Sequence, residues 1–172
     1  MKTLLSSLNE TLTFHLETMY DAEKRIQKDL GELVLELDSP DAVDMVSRYV
    51  ESANDKRMKL KRIFSYLLTG PFKRSNGAIE VVLSECVEIV DATVKSSYRD
   101  MLIASALEAV SEYKVTNYNT ALKIALQMEL RKVAELLEDI ISMEVEAAQS
   151  LSDFVSRSVI ESEAPVLSLK QG

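Results

Sequence analysis

The sequence predicts an all-α protein, four long helices in one bundle with a short crossover helix between the second and third. Three observations carry that prediction. Only 4 of the 172 residues are glycine and 3 are proline, which leaves few tight turns and forces long elements. Apolar residues recur at spacings of three and four through most of the chain, the period of an amphipathic helix. The clearest loop, TGPFKRSNG at 69–77, is followed by a short apolar segment before the next long seam begins.

The first seam runs Leu5, Leu8, Leu12, Leu16, Met19, Glu23, Ile26, Leu30, Leu33 and Leu37. It predicts a helix of about nine turns, roughly 50 Å long at 1.5 Å per residue. The helix should stop before DSPD, where Ser39 suits an N-cap and Pro40 the first position of the second helix. That helix should reach Leu68, with Met45, Tyr49, Leu60, Ile63 and Leu67 on its apolar face and Ser52 and Lys56 at its middle. AIEVVLSECVEIVDA, residues 78–92, reads as the crossover helix. The third long helix should begin near Ser97, with a seam of Met101, Ala104, Glu108, Ser111, Val115, Tyr118, Leu122 and Ala125. The fourth reads Leu130, Val133, Leu137, Ile140, Glu144, Ala147, Leu151 and Phe154. Neither Gly nor Pro separates these last two, so length alone places the break near residues 127–131. Residues 1–160 are expected to form one domain and 161–172, which contain Pro165, a frayed tail. Four long helices with one long connection imply the ferritin-like arrangement, since an up-down bundle needs only short loops.

Composition excludes several classes. The net charge of −8 argues against a nucleic-acid partner, which requires a concentrated basic surface. No apolar run is long enough to span a bilayer, and MKTLLSSLNE lacks the continuous apolar core of a signal peptide. Cys86 is the only cysteine, so no intrachain disulfide can form, and a reducing, cytoplasmic setting is expected. The chain has no Gly-rich phosphate loop and no cysteine pairing suited to zinc. One histidine and one cysteine leave few parts for acid–base or nucleophilic catalysis.

Each long seam carries a polar interruption near its middle: Glu23, then Ser52 with Lys56, then Glu108 with Ser111, then Glu144. Lys114 lies at the edge of the third seam, one turn beyond Ser111. A single interruption is ordinary, but four at comparable depth predict a shared polar layer. Tyr20, Tyr49, Tyr113 and Tyr118 are placed either to pack in the core or to donate hydrogen bonds into that layer. Dimetal bundles of this architecture build such a layer from a Glu on each of two helices and Glu-x-x-His on the other two. Here there is no Glu-x-x-His, and His15, two turns from Glu23, is the only histidine.

LETMYDAEKRI, residues 16–26, resembles the opening motif of the YciE/YciF-type ferritin-like proteins, a bacterial family linked to stress responses. The resemblance continues through YVESANDKRMKLKRIFSYL, AIEVVLSE, YRDMLIASALEAVSEYKVTNYNTAL and LLEDIISMEVEAAQSL, covering roughly residues 5–155 in order. It implies a ferritin-like bundle, often paired as a homodimer, with a dimetal site at its centre and no firmly established reaction. Glu23 stands at the family's DAE glutamate and Glu144 in the acidic pair of the last helix, although Met143 precedes it. In the second helix one glutamate survives as Glu51, while Ser52 and Lys56 stand where a second glutamate and a Gln or His are usual. The family's VEHYE is VSEYK here, so Ser111 and Lys114 replace two carboxylates. Glu108 stands where glutamine is more usual, and Ala148 replaces an acidic residue or histidine.

Serine is a weak ligand for such ions, and a protonated lysine repels them. One reading is therefore a non-catalytic bundle with no cofactor, in which Lys56 and Lys114 replace the metal charges and Ser52 and Ser111 fill the vacated space. Two lysines cannot neutralise Glu23, Glu108 and Glu144 together, so one glutamate must be protonated or reach solvent. The alternative is an iron- or manganese-binding protein handling metal or oxidants, with ligands from Glu23, Glu51, Glu108, Glu112, Tyr113 and Glu144. A third reading, an interaction module, rests on MELRKVAELLEDII as an intermolecular seam.

Overall fold

The computed structural model describes residues 6–71 and 74–169, with side chains described through residue 162. Five helices account for nearly all of it: α1 (Leu8–Leu33), α2 (Pro40–Tyr66), α3 (Gly77–Ala92), α4 (Ser97–Gln127) and α5 (Arg131–Leu169). Four of the five starts are fixed by a side-chain cap. Ser7, Ser39, Asn76 and Ser96 accept from the backbone N–H groups of Glu10, Ala42, Ile79 and Arg99, satisfying donors that the first turn leaves free. Pro40 follows its cap directly, where its missing N–H costs nothing.

α1 and α2 form one antiparallel hairpin and α4 and α5 another. α1 also packs on α4, and α2 on α5, which closes the four-helix ring. α3 lies across the outside of α1 and α4, carrying the chain back along the bundle. This is the ferritin-like bundle with a crossover helix between its second and third long helices. The interior is a column of fully buried side chains, among them Leu12, Leu16, Ile26, Leu60, Leu107 and Leu137.

α1 and α2 end short of where the sequence reading put them, whereas the α4–α5 break falls within the expected residues 127–131. α1 tightens into a 3-10 turn at Val34–Glu36, so its last turn is not α-helical. The break between α4 and α5 falls at Met128–Leu130 and is made without glycine. Glu129 adopts φ 58, and Leu130 N–H donates to Ala125 C=O at 2.9 Å while Glu129 N–H donates to Leu126 C=O at 3.0 Å. That is a Schellman cap with a glutamate in the left-handed position. α2 ends the same way, with Leu68 at φ 53 and Thr69 N–H reaching Phe64 C=O at 3.1 Å. α5 runs to Leu169, into the segment 161–172 expected as the tail. Its backbone stays helical past Pro165. Residues 170–172 lie outside the described residues.

Two neighbouring residues at the start of α4 tie both long connections together. Asp100 accepts the backbone N–H groups of Asp38 and Ser39, each at 2.8 Å, and so holds the α1–α2 turn. Arg99 donates to the carbonyls of Val90, Thr93 and Glu36 and to the Glu36 carboxylate, which holds the exit of α3. At the other end of α3, buried Asn76 caps the helix, donates from its backbone to Asp21 at 2.7 Å and from its amide to Thr18 C=O at 3.1 Å.

Candidate functional site

Halfway along the bundle the aliphatic column is interrupted by four ionisable side chains, one from each long helix: Glu23 (α1), Lys56 (α2), Lys114 (α4) and Glu144 (α5). All four have no solvent exposure. Each falls on its helix's inward stripe: Met19–Ala22–Ile26 flank Glu23, Ala53–Leu60 flank Lys56, Val110–Tyr118 flank Lys114 and Ile140–Leu151 flank Glu144. The charges alternate around the layer. Lys114 Nζ lies 3.1 Å from Glu23 Oε1 and 2.7 Å from Glu144 Oε2. Lys56 Nζ contacts Glu144 Oε2 directly and lies 3.8 Å from Glu23 Oε1.

Hydroxyl groups complete the layer. Tyr118 donates to Glu23 Oε1 at 2.7 Å. Tyr49 and Ser111 share a hydrogen bond of 3.0 Å, Tyr49 reaches Glu144 Oε1 at 3.4 Å, and Lys114 donates to Tyr49 at 3.5 Å. The Tyr49 ring also lies beneath both ammonium groups, 5.4 Å from Lys56 Nζ and 5.0 Å from Lys114 Nζ, at cation–π range. Glu23 Oε2 is buried without a hydrogen-bond partner.

Two ammoniums against two carboxylates make the layer neutral, which is what permits charges at this depth. For Glu144, burial alone would raise the carboxyl pKa. The Lys114 and Lys56 ammoniums outweigh it and bring the value down to about 2 from the ordinary 4.5. Burial also opposes charge on Lys114, but Glu23, Tyr49 and Glu144 hold its pKa well above the usual lysine range. Lys56 goes the other way, because burial, with Lys114 close by, outweighs the attraction of the glutamates. Burial pushes the hydroxyls of Tyr49 and Tyr118 upward, and the nearby carboxylates add to the shift, so both remain donors.

Not every residue that the sequence points to lies in this layer. Glu108 is partly exposed and makes none of its contacts, so the third glutamate that upset the charge count reaches solvent. Of the α4 seam read from spacing, Ala104, Ser111, Tyr118 and Ala125 are buried, while Leu107, Lys114 and Ala121 take the inward places given to Glu108, Val115 and Leu122. The physical reason is that α4 packs on α5, α1 and α3, so apolar residues surround most of it and spacing alone does not select a face. Lys114 consequently sits at the centre of the layer rather than at its edge. Ser52 is also outside it. Ala53 takes the inward position, and Ser52 lines a surface cleft of about 430 Å³ between α2 and α5, with Tyr49, Met45, Met143 and Phe154. Ser111 is buried within the layer as expected. Glu51 and Glu112 are exposed, and Tyr113 turns to Asn76, 3.4 Å away. His15 bonds Asn117 at 3.3 Å, pairing α1 with α4 away from the layer. Cys86 is buried in α3, and burial pushes its thiol up to about 12, well away from a reactive thiolate.

Asn76, Arg99 and Asp100 carry structural roles that spacing did not reveal. The available signals were an asparagine just before a helical run and an Arg-Asp pair within the first turn of an otherwise apolar helix.

The resemblance to dimetal bundles implies a metal centre at this depth, and the residues present do not fit one. Two carboxylates remain, and two ammonium groups stand between them. Among the described residues no three Asp, Glu, His or Cys side chains converge on a metal-sized space. A dication placed there would face Lys56 and Lys114 at contact distance with only Glu23 and Glu144 as anionic donors.

Comparisons with known proteins agree with the architecture. A family model described as a domain of unknown function, DUF892, matches residues 7–164. Protein YciF of Escherichia coli is 22% identical over 156 residues, which is 90% of this chain and 94% of that protein. The crystal structure of the E. coli stress protein YciF superposes with a TM-score of 0.85 at 20% identity, covering 90% of this chain and 98% of that one. YcfI of Rhodopseudomonas palustris superposes with a TM-score of 0.83 at 20% identity, covering 88% and 97%. The chain belongs to the DUF892 family, with a YciF-type sequence and fold.

Proposed function

We propose that this chain is a stress-associated, non-catalytic bundle protein in which Lys56 and Lys114 carry the positive charge that a dimetal centre would otherwise supply. The observation that carries this reading is the neutral four-residue layer, with each lysine against Glu144 and Lys114 also 3.1 Å from Glu23. The stress association comes from the E. coli stress protein YciF, which shares this fold. A buried, charge-balanced layer has no open coordination position and no exposed nucleophile, so the protein acts through its surface, as a homodimer in the cytoplasm. The competing reading, an iron or manganese protein, requires both lysines to leave the layer and a third carboxylate to enter it.

The test is elemental analysis of protein purified without chelator and then offered iron(II) or manganese(II). The expected outcome is no stoichiometric metal after desalting and no change of melting temperature on adding chelator. Iron or manganese held at one or two ions per chain would overturn the proposal.

A further inference from the structure

We propose that Lys56 and Glu144 condense to an intramolecular isopeptide bond joining α2 to α5, which makes the layer a self-crosslinking site. The inference rests on the preceding reading, that lysines rather than metal ions occupy the layer. Lys56 Nζ is in direct contact with Glu144 Oε2, and neither side chain has any solvent exposure. In water, hydration of the separate ions opposes condensation. Here that hydration is already lost, and the neutral amide is the product that burial favours. Fixing an amine against a carboxyl group also replaces an encounter by an intramolecular step, with effective concentrations of roughly 10⁵ M or more in well-oriented cases.

The surrounding groups fit the chemistry. An ammonium must shed a proton before its nitrogen can attack, and Glu144 Oε2, in direct contact with Nζ, takes it, which leaves an amine against a carboxylic acid. The Nζ lone pair then forms a bond to Cδ of Glu144. Tyr49, 3.4 Å from Glu144 Oε1, and Lys114, 2.7 Å from Oε2, face the oxygens on which negative charge develops. The Cδ–Oε2 bond breaks and Oε2 leaves as water, carrying the proton it already took from Nζ and a second one lost by Nζ after attack. Of the three ammonium protons, one remains on the amide nitrogen and two leave in the water, so no oxidant, cofactor or other reactant is needed.

Charge balances on both sides of the step. Before it, two ammoniums face two carboxylates. After it, Lys114 and Glu23 remain as a pair at 3.1 Å. The same geometry selects Lys56 over Lys114 as the nucleophile, since Glu23 lies closer to Lys114 and Tyr49 also accepts from it.

Intact-mass spectrometry of the full chain, kept folded for days and then denatured, tests the inference. The expected result is a species lighter than the sequence by one water, growing with time, and a proteolytic map in which the peptide containing Lys56 is joined to the one containing Glu144. The double variant Lys56→Met/Glu144→Gln leaves Lys114 and Glu23 as a neutral pair and is expected to stay at its own sequence mass. Wild-type protein that remains at the sequence mass overturns the inference, as does a water loss that persists in the variant. If the variant does not fold, the branched peptide in wild type decides, and its absence is equally fatal. Failure of the inference leaves the ion-pair reading standing, and that reading fails separately if the metal analysis finds bound iron or manganese.

Discussion

Lys114 touches both glutamates of the central layer and the Tyr49 hydroxyl. Removing one member of a buried pair leaves an uncompensated charge, whereas removing both can be nearly neutral. Lys114→Met is therefore expected to cost about 3–5 kcal/mol in urea denaturation. Most of that loss should be recovered in Lys114→Met/Glu23→Gln, where the introduced amide keeps an acceptor for Tyr118. In protein that still carries the free carboxylate, Glu144 sets an acid limb. A carboxyl whose folded pKa lies below its unfolded value stabilises the fold above the unfolded value, and the contribution disappears as pH falls through the folded one. Stability should thus decline from near pH 4.5 toward about 2, and Glu144→Gln should flatten that limb in pH-dependent melting curves. Glu23, Lys56, Ser111 and Glu144 were legible as a layer because each breaks an apolar seam at the same depth. Glu108 escapes that logic for the reason that makes α4 structurally important: a helix covered on three sides has no single apolar face to mark its inward register.

The helices themselves were legible from period and caps, with Ser39–Pro40 marking the start of α2 to the residue. Only length places the α4–α5 break, because its usual signal is missing. A Schellman cap normally announces itself with glycine, and here the left-handed residue is Glu129, as it is Leu68 after α2. Both positions store strain that a Cβ imposes at positive φ. Leu68, at 95% exposure, gives up little packing if replaced. Leu68→Gly and Glu129→Gly are each expected to stabilise the protein by about 0.5–1 kcal/mol, the relief of left-handed strain less the added freedom of the unfolded chain. Chemical denaturation of the two single variants checks this, and a loss of stability in both would refute it.

At the scale of the molecule, the chain passes from one hairpin to the other through α3, and polar contacts fix both ends of that crossover. Arg99 supplies most of them from one side chain. Arg99→Ala is expected to cost about 3 kcal/mol, since several charge-assisted bonds to buried carbonyls disappear together. Hydrogen exchange should rise first in α3 and in the turn after α1, while the layer's flanking helices stay protected. No spacing rule foretells the contact of Arg99 with Glu36, 63 residues away in sequence. The central layer has a further consequence of the same long-range kind. Leucines on bundled helices tolerate sliding, since one aliphatic contact substitutes for the next. The four charges do not: moving any one helix by a turn, about 5.4 Å, strands an ammonium or a carboxylate among aliphatic neighbours. The layer is a vernier, aligning four sliding rods at one mark and leaving the leucines to hold them there.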